Sequence, residues 1–356
     1  MRFEQEKGVS NGMGELLNRM SEAGKNQALE TEMPHWMDPM LARLTHDYFT
    51  DEDWYFERKL DGERAISYIR PDGGVHLMSR NQKHLNDQYP ELERALEKRA
   101  LSGCILDGEV VALDEDGVSD FEALQPRMQV SSREEAEQSD VKVYYYLFDC
   151  LYADGHDITP CALHERKKIL KAIIDYGDPL RLIEYRIADN LDYYREACKK
   201  GWEGLIAKDL NGRYEHGRSS KWLKFKCVTQ QEFVIGGFTD PHGERIGFGA
   251  LLIGFYREGE LVYAGKVGTG FDDDTLKYLR NRFNRIERKT SPFNQEDPPL
   301  KEVHFMTPEM VCEVAFTEWT DNDKLRHPRY KGLRNDKDAH DVHKEIESQA
   351  ADLSST

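Results

Sequence analysis

A chain of 356 residues is long enough for two domains, and 39% hydrophobic with 32% charged residues is the composition of a packed globular protein. No apolar run approaches the ~18 residues that a membrane span needs, and the polar, acid-bearing stretch Met1 to Gly24 does not read as a signal peptide. The net charge of −17 argues against a uniformly cationic nucleic-acid binder.

The charge is not evenly spread, however. Basic residues gather in Lys208 to Lys226, Lys277 to Lys289 and Lys324 to Lys337, which is compatible with an electropositive groove. Solvated helix faces are the plainer alternative, above all for the second stretch. The six cysteines are scattered, without a CxxC pair or a Cys/His cluster, so neither a zinc site nor a disulfide framework is expected. An intracellular, reducing compartment follows from that reading.

In chain order, residues 1–33 lack an apolar period and read as a loose lead-in. Trp54 to Lys59, Ala65 to Arg70 and Val75 to Ser79 read as strands, the last two joined by a Pro71-Asp72-Gly73-Gly74 turn. Tyr89 to Leu101 carries apolar residues at helical spacing. Cys104 to Leu113 is a strand interrupted by Asp107-Gly108-Glu109, Val141 to Leu151 is strongly β-prone, and Leu163 to Tyr176 is an amphipathic helix. Gly204 to Lys208 and Trp222 to Lys226 complete a first domain over residues 34–228, with a boundary near Val228 to Gln231.

Beyond it, Phe233 to Phe238, Ala250 to Tyr256, Leu261 to Val267 and Met310 to Trp319 read as strands around one helix, Asp272 to Ile286. Short strands about a single helix predict a small β-barrel such as an OB-fold over residues 229–345. The Pro-bearing loop Ser291 to Leu300 is expected to be exposed, and residues 346–356 form a tail.

The segment that points to chemistry is Glu57-Arg58-Lys59-Leu60-Asp61-Gly62-Glu63-Arg64. A strand-end lysine, a tight Asp-Gly turn and an arginine can aim several polar groups into one pocket, although an ordinary surface hairpin has the same composition. Asp107-Gly108-Glu109 places carboxylates inside an apolar strand, where burying one unpaired is costly. Phe148-Asp149 ends another apolar run. Glu203-Gly204-Leu205-Ile206-Ala207-Lys208 and Trp222-Leu223-Lys224-Phe225-Lys226 put charges at strand ends or on one alternating face.

This ordered set resembles the covalent nucleotidyltransferase superfamily of DNA ligases, RNA ligases and mRNA capping enzymes. Lys59 through Arg64 match its KxDGxR motif, and Gly332-Leu333-Arg334-Asn335-Asp336-Lys337 looks like its C-terminal RxDK motif. With Gly265 to Phe271 and Glu318 to Thr320, the pattern is similar to the ligase module of bacterial non-homologous end-joining ligase D, over roughly residues 36–345. The resemblance implies an α+β fold, with a nucleotidyltransferase (ATP-grasp-like adenylation) domain followed by the OB-fold barrel.

It also implies ATP as the nucleotide and Mg²⁺ or Mn²⁺ as the metal. Lys59 would be the nucleophile that becomes adenylated. Glu57 would sit at the adenine edge and Phe148 under the base. Arg64, Arg80 and Arg218 would lie near ribose, phosphate or the DNA end, and Glu109 and Glu203 would face ribose or metal. Lys224 and Lys226 would flank the phosphates, with Arg334 and Lys337 reaching across to the leaving pyrophosphate. Nearby cations are expected to favour the neutral, nucleophilic amine of Lys59. Glu122, Asp149 and Trp222 read as structural.

The implied substrate is nicked or broken duplex DNA, and the implied partners are a Ku-type end-binder and separate end-processing enzymes. The implied setting is the cytoplasm of a prokaryotic cell, with the protein a monomer. The lead-in is too short for an attached polymerase or phosphoesterase domain, so a stand-alone ligase is expected. Two rival readings remain at this point: an RNA ligase or capping guanylyltransferase, and a non-catalytic DNA-binding barrel.

Overall fold

The computed structural model describes residues 15–345 except 46, 188–189, 228–229, 244, 295–301 and 321. The expected boundary near Val228 to Gln231, the distal part of the Ser291 to Leu300 loop and the tail therefore lie partly or wholly outside the described residues. Two sheets build the first lobe. In the larger, antiparallel strands run in the order Leu29–Glu30, His156–Asp157, Tyr144–Ala153, Cys104–Val111, Glu63–Ile69 and Val75–Ser79, with Leu180–Leu182 added in parallel to Tyr144–Ala153. The smaller has the order Tyr185–Ile187, Trp54–Lys59, Gly204–Asp209, Gly217–Lys226 and Met40–Leu44.

Period-two alternation sorts the side chains of both sheets. One face of the larger sheet packs Ala65, Leu77, Leu106 and Leu147 against helices Pro90–Arg99 and Leu163–Ile173. Its other face meets the smaller sheet through Ile66, Tyr68, Ile105 and Phe148. The outer face of the smaller sheet buries Phe56, Leu205, Leu223 and Phe225 under Tyr193 and Ala197 of helix Asn190–Lys199. What remains facing inward between the sheets is polar, and that is where the site forms.

The C-terminal lobe is one antiparallel sheet in the order Glu260–Val267, Leu251–Arg257, Gln230–Thr239, Val303–Ala315 and Glu287–Arg288, with Arg329–Leu333 also on Val303–Ala315. It closes over helix Asp273–Phe283, whose Leu276, Leu279 and Phe283 are buried. Among the described residues the hydrogen-bonded ladders form an open path, not a closed barrel. The expected Met310 to Trp319 strand begins earlier and ends at Ala315, with Glu318–Trp319 in a separate hairpin.

Three expectations are corrected. Residues 15–33 are not a loose lead-in: Leu16 and Met20 are buried, and Leu16 N donates to Asp154 Oδ2 at 2.7 Å. Asp107-Gly108-Glu109 does not interrupt its strand, which runs unbroken with a register shift against Tyr144–Ala153. Cys198 and Cys227 form a disulfide between the Asn190–Lys199 helix and the chain just past Lys226. Scattered sequence positions could not reveal that pair, because helix packing brings them together.

Candidate active site

Glu57 and Lys59 alternate with Phe56 and Arg58, so when the phenyl ring goes outward both polar groups go inward. The ladder then lines up partners across three strands. Lys59 pairs with Gly204, which pairs with Lys226; one step away, Glu57 pairs with Ile206 and Ile206 with Lys224. Two rows of one sheet face thus carry Glu57, Lys59, Lys224 and Lys226 into a single cavity of about 560 Å³. Gly204 is required here: at φ +148° a Cβ would lie 1.9 Å from the Phe225 carbonyl oxygen.

The larger sheet forms the opposite wall with Arg64, Glu109 and Phe148. Arg64 is held in place by fully buried Asp107, donating from Nε at 2.5 Å and from Nη2 at 2.6 Å, and its guanidinium lies 4.6 Å from the Phe148 ring centre. Glu109 is different. Among the described residues its carboxylate has no hydrogen-bond or ion-pair partner, and burial pushes it up to about 7 in spite of Arg64 and Lys59.

A carboxyl group held that high keeps its proton in the folded state while the unfolded chain loses it near the ordinary 4.5. Stability is therefore complete below that value and falls as pH rises to about 7. A Glu109→Gln variant should melt higher than the parent at pH 8, by on the order of 3 kcal/mol, and show little gain at pH 4.5. Calorimetry at the two pH values checks this, and equal shifts at both would refute it.

The cavity's cations are mostly paired. Lys59 Nζ bonds Glu203 directly. Burial opposes its charge, but Glu203 and Asp61 outweigh burial and hold the ammonium above its usual range. Neighbouring cations were expected to leave a free amine; in this arrangement the nearest group is a carboxylate, and its effect dominates. Lys224 and Lys226 both bond Glu345, from the end of the described chain, the second at 3.1 Å. Burial depresses Lys224 to about 8 despite that partner.

The C-terminal lobe closes the cavity with Arg334 and Lys337. Arg334 makes a two-pronged ion pair with Asp336 at 2.9 Å and reaches Glu313 at 3.3 Å, while Lys337 pairs with Glu232 at 2.7 Å. Arg80 and Arg218 also line the cavity; Arg80 is 4.0 Å from Asp341, and Arg218 donates to the Ala42 carbonyl at 3.1 Å. Every residue proposed from the sequence therefore borders one space.

Residues 39–226 match the family described as ATP dependent DNA ligase domain, and residues 244–337 match its C terminal region. The chain belongs to the ATP-dependent DNA ligase family. It is 40% identical over 321 residues to the multifunctional non-homologous end joining protein LigD of Pseudomonas aeruginosa, covering 88% of this chain and 37% of that protein. The LigD of Mycolicibacterium smegmatis is 35% identical over 315 residues, 87% of this chain and 40% of the relative. The chain thus spans about two fifths of the length of these relatives. Among solved structures, mycobacterial DNA ligase D complexed with ATP and MES aligns with a TM-score of 0.61 at 30% identity, covering 88% of this chain and 98% of that one.

Within this ligase-family site, three side chains go beyond the sequence reading. Trp222 is a wall of the cavity, edge-on to Phe148 at 5.9 Å, and not only structural. Lys208 places its ammonium 4.1 Å from the Phe148 ring centre and 4.0 Å from that of Trp222, and donates to Glu57 at 2.6 Å. Lys167, on helix Leu163–Ile173, bonds the other oxygen of Glu57. A signal for Lys167 was present: with Leu163, Arg166 and Leu170 it occupies i, i+3, i+4 and i+7 of the buried stripe, so two cations lie where apolar residues belong. Asp149 and Glu122 behave as structural groups, pairing with Arg166 and with Lys331.

No three His, Cys, Asp or Glu side chains converge as a metal cage among the described residues.

Proposed function

We propose that this chain seals nicks or broken ends in duplex DNA through a lysyl-AMP and then a DNA-adenylate, in the setting of end joining. The observation that carries the reading is the ladder that sets Lys59, Lys224, Lys226 and Glu57 on one inward face, opposite Phe148 and Glu109. The Lys59 amine, once it has lost its proton, attacks the α-phosphorus of ATP; a P–N bond forms and the bond to pyrophosphate breaks. AMP then passes to a DNA 5′-phosphate, and a 3′-hydroxyl displaces it. Supporting this, the mycobacterial structure of the same fold is described as complexed with ATP.

Each group has a chemical part. Lys224 and Lys226 would neutralise phosphoryl oxygens as charge grows, taking phosphate in place of Glu345. Arg334 and Lys337 would orient the departing pyrophosphate, and Arg80 and Arg218 would face ribose, phosphate or the DNA end. Glu109 and Glu203 would hold Mg²⁺ or Mn²⁺, which supplies further neutralisation of the phosphates. Glu57 and Lys208 offer an acceptor and a donor side by side at the end of a slot walled by Phe148 and Trp222. That pair is complementary to adenine, whose amino group donates and whose N1 accepts, and mismatched to guanine.

We place the C-terminal lobe as an OB-type module with residues 229–345, following an adenylation domain of residues 34–228. The cellular setting we propose is the interior of a prokaryotic cell, with a Ku-type end-binder and end-processing enzymes as partners and this chain a monomer. Given α-labelled ATP or GTP separately, the protein should retain label covalently from ATP and lose it to nicked DNA as the nick closes. Label from GTP alone would overturn the reading.

A further inference from the structure

Glu57 lies between two buried ammonium groups, and only one of them faces the cavity. Lys208 borders the slot; Lys167 does not line the cavity and approaches Glu57 from helix Leu163–Ile173. Both are almost wholly buried, at 2% and 6% side-chain exposure against 3% for Glu57. A carboxylate buried to that degree needs a partner for its charge, and Lys208 alone would supply one. The second cation therefore requires a reason.

We infer that Lys167 is a positioning residue for nucleotide selection: it fixes the plane of the Glu57 carboxylate, so that the base edge always meets an acceptor in the same place. The inference rests on the reading of Glu57 at the adenine edge. Two oxygens anchored from two directions cannot rotate, and each keeps a lone pair beyond the one it gives to its lysine. Lys208 on its own would leave Oε1 free to turn away from the base edge. A carboxylate that turns loses its alignment with the adenine amine, whereas the carbonyl of a 6-oxopurine gains nothing from that acceptor in either orientation.

The helix that carries Lys167 is itself anchored. Its neighbour Arg166 makes a two-pronged bond to Asp149, both Nε and Nη2 donating at 2.8 Å, and both side chains are fully buried. Asp149 directly follows Phe148, so the residue beside the base platform determines how far Lys167 reaches. The Tyr185 ring, with its centre 5.5 Å from the Lys167 ammonium, closes the outer side. Ring, helix and strand thus converge on one carboxylate that never contacts the reacting phosphorus.

The test is the single-turnover rate of covalent adduct formation as a function of the concentration of ATP or of inosine triphosphate, whose base carries a carbonyl in place of the amine. The proteins are the parent, Lys167→Met, Lys167→Gln, Lys167→Arg, and Lys168→Met as an exposed neighbour control. The parent should prefer ATP. Lys167→Met should raise the half-saturating ATP concentration on the order of tenfold with the maximal adduct-forming rate little changed, leave inosine triphosphate within about threefold, and so collapse the preference. Lys167→Arg should restore most of it, and Lys168→Met should match the parent.

Melting temperatures accompany each variant. If Lys167→Met does not fold, Lys167→Gln, which keeps an N–H donor without the charge, must show a reduced preference. A preference that survives in either folded neutral variant, or an equal loss for both nucleotides, overturns the inference. A parent that does not distinguish the two nucleotides overturns the Glu57 reading itself, and the inference with it.

Discussion

A Lys59→Ala protein should form no covalent nucleotide adduct, a loss of at least on the order of 10⁴-fold in the first step, because no other lysine can take its place. Lys224 and Lys226 stand on the same sheet face but are held by Glu345, and the strand register places them on a different strand. The same change strips buried Glu203 of its partner, so the variant should also lose stability, by a few kcal/mol as for other broken buried pairs. Lys59→Arg separates the two effects: the guanidinium can still pair with Glu203 but cannot act as the nucleophile, so it should melt close to the parent and stay unlabelled.

Both variants should close a nick that is already adenylated, since that step does not use the amine. Glu203 holds the Lys59 proton in the parent, so adenylation should also climb with pH until that proton is lost. Radiolabelled gels with ATP, beside sealing of pre-adenylated DNA, give the answer. An adduct on the alanine variant would sink the assignment.

Much of this site could be read from sequence because its residues follow strand alternation. Lys59, Glu109, Phe148, Glu203, Lys224 and Lys226 lie at or near strand positions whose facing follows from counting in twos, and all border the same cavity. What could not be read comes from contacts between elements. The Cys198–Cys227 pair depends on how the Asn190–Lys199 helix lies on the smaller sheet. Lys167 and Lys208 converge on Glu57 from a helix and from a neighbouring strand, and no spacing rule links residues 57, 167 and 208.

The Lys59 ion pair was misjudged for a related reason. Sequence showed many cations near the lysine, but only the ladder shows that Glu203, one residue before Gly204, is the closest partner. The helix Phe121–Met128 was missed because Pro126 lies inside it, although Asp120 caps it by accepting from the Glu122 and Ala123 amides. That helix matters beyond the first lobe. The Gln125 amide clamps the far lobe, donating to the Leu333 carbonyl at 2.7 Å and accepting from the Leu333 amide at 3.0 Å, one residue before Arg334.

Arg334 is where closure and chemistry meet, and an Arg334→Ala variant should divide the reaction into its steps. Its guanidinium neutralises Asp336 and Glu313 and lies 4.5 Å from the Phe121 ring centre on the opposite lobe. Removing it leaves two buried carboxylates with one cation fewer, beside Glu63, which burial and Asp336 already push up. The expected cost to the C-terminal lobe is about 3–5 kcal/mol, and the ring contact with Phe121 of the first lobe is lost as well. Self-adenylation should fall by on the order of 100-fold or more, since the guanidinium proposed to face the leaving pyrophosphate is lost. Sealing of a pre-adenylated nick, which releases no pyrophosphate, should stay within about threefold of the parent. Asp336→Asn offers the complementary arm: Arg334 keeps its charge and its bond to Glu313, so the lobe should lose less stability and adenylation should fall by less than in Arg334→Ala. Equal losses in adenylation and in sealing of the pre-adenylated nick would show that Arg334 only supports the fold of its lobe.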